Sequence, residues 1–265
     1  MSQESIVDAS KPNAGRMYDY YLGGSHNFEV DRLAAEQVLK LLPFTTKYVR
    51  LQRWALQDIA EELTEKRGFE VIIDFASGLP TNDHIHHKVP QGTTVIYSDY
   101  DPVVVQYARE ILGDTPNVYM FEGDARNPAE LLNRPQVQEI LGGRRKVALV
   151  YWGVSAFLDD EDITQAARFL DEWAAPGSCW AFNVQGLDGD DPTAKQVLEI
   201  YEKLGAPLRI RTPEECVDLL QPWGPDGDRF ISLLEWHGFE QSELGREDIN
   251  SFGPLGGGYG AYLVK

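Results

Sequence analysis

Three short runs of this chain set carboxylates beside small residues, and each follows an apolar, β-branched segment. The first is Asp74-Phe75-Ala76-Ser77-Gly78-Leu79-Pro80, where Ala76, Ser77 and Gly78 let the backbone pass close to a ligand. The second, Ser98-Asp99-Tyr100-Asp101-Pro102, comes about twenty residues later, the separation at which dinucleotide folds set an acid against ribose hydroxyls. Asp101 before Pro102 has the pattern of a helix cap with proline at the first helical position, so Asp99 takes the ribose role. The third is Glu122-Gly123-Asp124-Ala125. Its Asp124 can receive an adenine amino group while a neighbouring N–H meets a ring nitrogen, or it can cap a helix. Singly, each run is an ordinary turn. In this order and spacing they describe a pocket for a nucleoside.

Rival chemistries fit less well. His84, His86 and His87 stand beside Asp83, but His84 and His87 are three apart at a helix start while His86 points elsewhere. No further histidine cluster completes a set of ligands, so no metal is expected. A nicotinamide site wants G-x-G-x-x-G, which Ala76 to Pro80 does not supply. Gly256-Gly257-Gly258 lacks the Lys-Ser/Thr of a phosphate loop and reads as a turn.

Open α/β sheets bind ligands at the carboxyl ends of their strands, so strands must precede these runs. The candidates are Val71–Phe75, Thr94–Tyr97, Val118–Phe121, Val147–Tyr151 and Cys179–Val184, with helices near Pro102–Leu112, Asn127–Leu141 and Asp160–Ala174 between them. Such alternation implies βαβ units and a mainly parallel sheet. Later come helical segments near Thr193–Leu204, Pro213–Leu220 and Asp228–His237, then strand candidates Phe239–Leu244 and Tyr259–Val264. The Gly- and Pro-rich link from Ser251 to Gly258 could close an antiparallel hairpin at the sheet edge. Before Gly68 the pattern is helical only, with Leu33, Val38, Leu39, Leu41 and Leu42 on one face, then Tyr48, Leu51, Ala55, Ile59 and Leu63 at helical spacing.

The 265 residues suffice for one large domain, and 43% hydrophobic with 25% charged residues is ordinary for a globular chain. A net charge of −18 opposes a phosphate backbone, so nucleic acid is a poor partner and a neutral or cationic small molecule a better one. The basic run Arg144-Arg145-Lys146 reads as a solvated turn. Cys179 and Cys216 form no C-x-x-C pair, and neither a signal-peptide core nor an apolar run long enough for a membrane is present. A cytoplasmic protein is expected.

The order of the three runs resembles that of class I methyltransferases dependent on S-adenosylmethionine (SAM). More narrowly, Arg16-Met17-Tyr18-Asp19-Tyr20-Tyr21-Leu22-Gly23-Gly24 followed by Ser25-His26-Asn27-Phe28, with Gly78-Leu79-Pro80-Thr81 and the Asp99 to Pro102 turn, resembles a family of actinobacterial-type SAM-dependent methyltransferases. The resemblance covers most of residues 12–185. It implies a Rossmann-like, seven-stranded, mostly parallel α/β sheet with an N-terminal helical extension. It divides the chain into a flexible leader (1–12), a helical lid or extension (13–67) and a SAM-binding catalytic domain (68–265). The cofactor would meet Ala76, Ser77, Gly78, Asp99, Tyr100, Asp124, Ala125 and Trp152. Methyl transfer needs alignment and exclusion of water, and for a hydroxyl or ammonium acceptor a base, for which Tyr18, Tyr21 and His26 are the candidates. The segment 13–28 is expected to close over the pocket. Three departures stand out: Ala76 replaces the superfamily's usual first glycine, Pro80 its third, and Ala156 stands where relatives carry a histidine after the fourth strand. An alternative function is SAM binding without methyl transfer, as a sensor or scaffold.

Overall fold

The computed structural model describes residues 10–81, 83–227, 229–236 and 257–265. Helices α1 (Ala14–Tyr21), α2 (Glu29–Leu41) and α3 (Thr45–Glu61) come first, and α3 runs on through a π-helical turn at Glu62–Lys66. Then β1 (Val71–Phe75), β2 (Thr94–Asp99), α4 (Pro102–Leu112), β3 (Val118–Glu122), α5 (Pro128–Leu132), α6 (Pro135–Leu141), β4 (Ala148–Tyr151), α7 (Asp160–Trp173) and β5 (Cys179–Val184) alternate. The chain continues through α8 (Pro192–Lys203), α9 (Pro213–Leu219), β6 (Gly224–Pro225), β7 (Ile231–Ser232), α10 (Leu233–Trp236) and β8 (Tyr259–Val264).

The strand order is β3-β2-β1-β4-β5-β8-β6, with β7 also paired to β8. The first five strands run parallel and β8 runs antiparallel to β5. The order reverses between β1 and β4, which marks the crevice where a ligand belongs. Strands β1, β2, β4 and β5 are buried at every position, as expected for parallel strands covered on both faces. Side chains alternate across the sheet. Ile73, Phe75, Leu149, Tyr151, Trp180 and Phe182 meet α7 and Trp223 on one side. Ile72, Val95, Tyr97, Val150 and Ala181 meet α3 and α4 on the other.

Among the described residues the sheet has eight strands, where seven were expected of the whole chain. The additional pairing comes from β6 and β7, which at two residues each are too short to show alternation. β7 also opens what the sequence suggests is one helix over 228–237. The expected helix over 127–141 is two, because Pro135 cannot continue α5 and instead begins α6. The expected strand at 239–244 and most of the following link lie outside the described residues. Arg144 donates to the carbonyls of Ile140 and Leu141 at the end of α6, so this part of the basic run acts as a helix terminator.

Helix α3 lies inside the expected extension, yet its Leu51, Ala55, Ile59 and Leu63 pack directly against the sheet. Residue 67 thus marks a change of texture and not a division between cores. Helices α1, α2 and α8 share a third apolar cluster of Met17, Tyr21, Ala34, Ala35, Val38, Val197 and Tyr201. Cys179 and Cys216 are free and buried, and burial pushes both thiols up to about 12. No helix among the described residues is long and apolar enough to cross a membrane.

Candidate active site

The loop after β1 turns through two left-handed residues, Ala76 (φ 54°) and Gly78 (φ 66°). Ala76 therefore keeps the conformation for which glycine is the usual choice, at a cost of about 1–2 kcal/mol. A Cβ placed on Gly78 would meet no atom within 4 Å, so the turn borders open space. Backbone bonds tie it to the next strand: Ser77 N donates to Ser98 O at 2.9 Å, and Gly78 N to Asp99 Oδ2 at 3.1 Å. Asp99 Oδ1 accepts from Asp101 N at 3.0 Å. Asp99 thus joins the two loops and still has acceptor capacity, since a carboxylate offers about four lone-pair sites. Burial pushes its carboxyl up to about 6, against the opposing backbone N–H bonds. Asp101 caps α4 at Val103 N, 2.8 Å away, as its place before Pro102 suggests.

Beneath this loop the histidines are engaged among themselves and with Tyr97. His84 Nε2 lies 3.1 Å from Ser77 O, which can only accept, so that nitrogen carries the proton. Its Nδ1 accepts from Ile85 N, 3.0 Å away, and lies equally close to Tyr97 Oη, which also accepts from His86 N. Burial holds His84 well below the usual histidine range, so the imidazole is a neutral prop under Ser77. Asp74 is buried as well, and no hydrogen bond reaches its Oδ2. Burial, against the pull of Arg53, pushes this carboxyl well above its ordinary range.

At the end of β3, Asp124 is clasped by Arg126, whose Nε lies 3.0 and 2.9 Å from its two oxygens and whose Nη2 lies 2.5 Å from Oδ2. Burial raises the Asp124 carboxyl, and Arg126 more than reverses this, leaving it below the usual range. Tyr100 stands 56% exposed beside Asp99. Ala125 faces the core and its carbonyl accepts from the Tyr151 hydroxyl at 2.7 Å.

Trp152, after β4, is turned toward α3: its Nε1 donates to Gln52 O at 3.0 Å and its ring packs on Trp236. The residues that follow are clamped. Gly153 N donates to Asn183 Oδ1 at 2.6 Å, and Arg211 donates to the carbonyls of Ser155 and Leu158 at 3.0 and 2.7 Å. Ala156 is buried in the middle of this turn, and its carbonyl accepts from Arg209 N. Rigid support is what this segment offers.

The N-terminal motif is a buried brace. Arg16 pairs with Asp31 at 2.8 Å and with Asp101 at 3.4 Å, all three buried, so α1 and α2 are latched to the loop after β2. Asp19 accepts from His26 N at 2.9 Å and from Asn27 Nδ2 at 2.8 Å. A Cβ on Gly24 would collide with that carboxylate, which explains the glycine. Of the three expected bases, Tyr18 lies beside Arg53, whose Cζ is 5.6 Å from its ring, and its hydroxyl donates to Val49 O. Tyr21 is buried in the seam of α1, α2 and α8, and His26 packs its ring on Tyr107 of α4. The three thus have different neighbours: Val49 and Arg53 of α3 for Tyr18, the seam with α8 for Tyr21, and Tyr107 of α4 for His26.

Other residues complete the rim and were not singled out from sequence. The first half of α3 presents Tyr48, Gln52 and Arg53 to the carboxyl ends of the strands. Gln52 Nε2 donates to Tyr48 Oη at 2.9 Å, and Tyr48 Oη bonds Gln185 after β5. Gln52 and Arg53 are 2% and 3% exposed. Gln52 and Arg53 flank the apolar stripe that the sequence shows, and only the packing reveals that they are buried with it.

The family described as S-adenosyl methyltransferase matches residues 1–256. Among solved structures, a methyltransferase candidate from Thermobifida fusca YX is 26% identical with a TM-score of 0.84, covering 97% of this chain and 96% of its own. A DUF574 family protein from Streptomyces avermitilis MA-4680, 24% identical with a TM-score of 0.86, covers 97% and 99% and shares the fold. No curated protein matches the chain.

Proposed function

This chain belongs to the S-adenosyl methyltransferase family, and we propose that it methylates a small-molecule acceptor held under α1 and the first half of α3. Its SAM-dependent methyltransferase activity follows from the family, whereas the acceptor class and the residue roles are inferred from the geometry. The observation that carries this inference is the open space beside left-handed Gly78, bordered by a buried Asp99 with acceptor capacity to spare.

The residues fit the group. Asp99 would take the ribose hydroxyls, and the turn from Ala76 to Gly78 would run beside the aminoacyl end. Tyr100 and Ala125 would border the adenine, and Asp124 would reach the adenine amino group only by sharing its oxygens with Arg126. Trp152 would contribute through its backbone, since its indole is committed to α3. When bound, SAM supplies a methyl group activated by a positively charged sulfur, which keeps the bonding electron pair as the methyl departs.

What the chain must do is align an acceptor and keep water out. The brace of α1 and the rim of α3 serve the second task. The hydroxyl and amides of Tyr48, Gln52 and Gln185 suit a polar acceptor. Burial, only partly offset by Arg53, raises the Tyr18 hydroxyl above its ordinary value. At neutral pH Tyr18 therefore stays protonated and orients groups without acting as a base. Tyr21 and His26 have no such role in this reading. The charge of −18 disfavours nucleic acid as acceptor, and two buried free thiols suit a reducing cytoplasm.

The test is incubation with methyl-labelled SAM and a cell extract fractionated by size. Label in low-mass products other than SAM itself, with S-adenosylhomocysteine formed in step, is expected. Label confined to protein or nucleic acid would overturn the small-molecule reading.

A further inference from the structure

Helix α2 has more apolar surface than its core contacts use. Ala34, Ala35 and Val38 are buried in the cluster shared with α1 and α8. Beside them Val30, Leu33, Ala34 and Gln37 recur at helical spacing. With Ile200, Lys203 and Leu204 of α8, and with Pro12, they line an open groove of about 300 Å³. Leu33, which spacing groups with the buried face, is instead 59% exposed on the groove wall. The polar members, Gln37 and Lys203, are exposed. The groove thus lacks the convergent polar groups that fix a metabolite, and it suits a short aliphatic segment.

The chain itself delivers such a segment. Pro12 forms part of the groove, and the backbone around it is pinned: Arg16 Nη2 donates to Lys11 O at 2.7 Å, and Asn13 N donates to Asp31 Oδ1 at 2.8 Å. Residues 1–9 contain the apolar pair Ile6-Val7 between Glu4 and Asp8. An extended chain covers about 3.3–3.6 Å per residue, so Ile6 reaches up to about 20 Å from Pro12. Packed helices lie only about 8–10 Å apart, which puts the whole groove within range. Lys203 on the rim has Glu199 at 3.9 Å as an exposed partner and can meet the acids of the segment. A second copy suits the groove less, because two chains of charge −18 repel each other. A tethered segment needs only a weak contact, since its effective concentration is about millimolar. We propose that Ile6 and Val7 dock in the groove between α2 and α8, with Glu4 and Asp8 beside Lys203. The segment is a strap: it covers Leu33 and ties α2, and through Asp31 the Arg16 brace, to α8.

Cysteine cross-linking on the full chain tests this. Ser5→Cys with Gln37→Cys sets one thiol on the strap and one on the groove wall while keeping Ile6, Val7 and Leu33. The native Cys179 and Cys216 are buried and do not compete. Mild oxidation should form a disulfide within one chain, mapped by mass spectrometry of the digested protein. Adding Leu33→Glu, or Ile6→Asp together with Val7→Asp, should slow its formation about tenfold or more, because each puts a charge into an apolar contact. Leu33 is exposed and residues 6 and 7 lie outside the packed clusters, so both variants should fold, as circular dichroism will show. The strap is overturned if no disulfide forms within a chain, or if either charged variant forms it as fast as the parent pair. A disulfide formed only between two chains also overturns it and assigns the groove to a second copy.

Discussion

The two halves of the site are held by different forces. The floor, made by the turns after β1 and β2, is fixed by backbone hydrogen bonds between adjacent parallel strands, with Asp99 as the side chain that joins them. The rim, made by α1 and α3, is fixed by buried charges and aromatic rings reaching across the chain: Arg16 on Asp31 and Asp101, Arg53 beside Tyr18. A floor built on backbone tolerates changes of side chain, provided that the left-handed turn survives. A rim built on buried ions does not, because removing one partner strands the other in low dielectric. Substitutions in the rim should therefore cost folding, and those in the floor should cost binding.

The largest effect expected is from Arg16→Met. It leaves Asp31 and Asp101 buried without their cation, and about 3–5 kcal/mol of stability should go, measured by urea unfolding. Deleting residues 1–28 removes Arg16 together with the buried Met17 and Tyr21, and cooperative unfolding should be lost. A truncated chain that still unfolds cooperatively would favour the movable lid expected of residues 13–28 and dissolve the contrast between floor and rim.

Asp99→Ala comes next. Affinity for SAM should fall by about 1.5–3 kcal/mol in calorimetry, with the variant still folded, since its neighbours on the floor are backbone groups. Unchanged affinity would remove Asp99 from the ribose role.

The same carboxyl gives a pH signature of smaller size. Its folded pKa is raised to about 6, so between pH 4 and 6 the folded chain holds a proton that the unfolded chain has lost. By linkage, this group's contribution to stability is present at low pH and lost as pH rises through 6. Binding runs the other way, because ribose hydroxyls need the ionised carboxylate. SAM affinity should weaken up to about tenfold from pH 7 to pH 5. Comparison with Asp99→Asn isolates the share due to Asp99.

The smallest effect belongs to Tyr20→Phe. Its hydroxyl donates to Glu36 at 2.5 Å on the solvent side of α1, so stability should change by no more than about 0.5 kcal/mol. A loss of several times that would mean the brace extends to the surface.

Much of the floor was open to reading from sequence, because its signals are local. Strands β1, β5 and β8 and helix α4 have the bounds that alternation, Pro102 and the flanking turns suggest. Asp101 caps α4 as its position before Pro102 implies, while Asp99 accepts from backbone N–H groups of both loops. Ala76, in place of glycine, looked like a departure, yet its φ shows that the turn is kept.

The rim could not be read in this way. Arg16 meets a partner 85 residues away, and the indole of Trp152 bonds a carbonyl 100 residues away. The apolar stripe of Leu51, Ala55 and Ile59 marks the face of α3 that meets the sheet, but nothing local shows that Gln52 and Arg53 beside it are buried too. Tyr18 and Tyr21, three residues apart, share a helical face by spacing, but Tyr18 meets α3 while Tyr21 meets α8. Sequence alone determined the five parallel strands, the turns between them and the acid at the end of β2, since these depend on the steric and hydrogen-bonding habits of neighbouring residues. Tertiary structure decided which charges are buried together, because that depends on how α1 and α3 pack onto the sheet, and packing is set by contacts that no local pattern records.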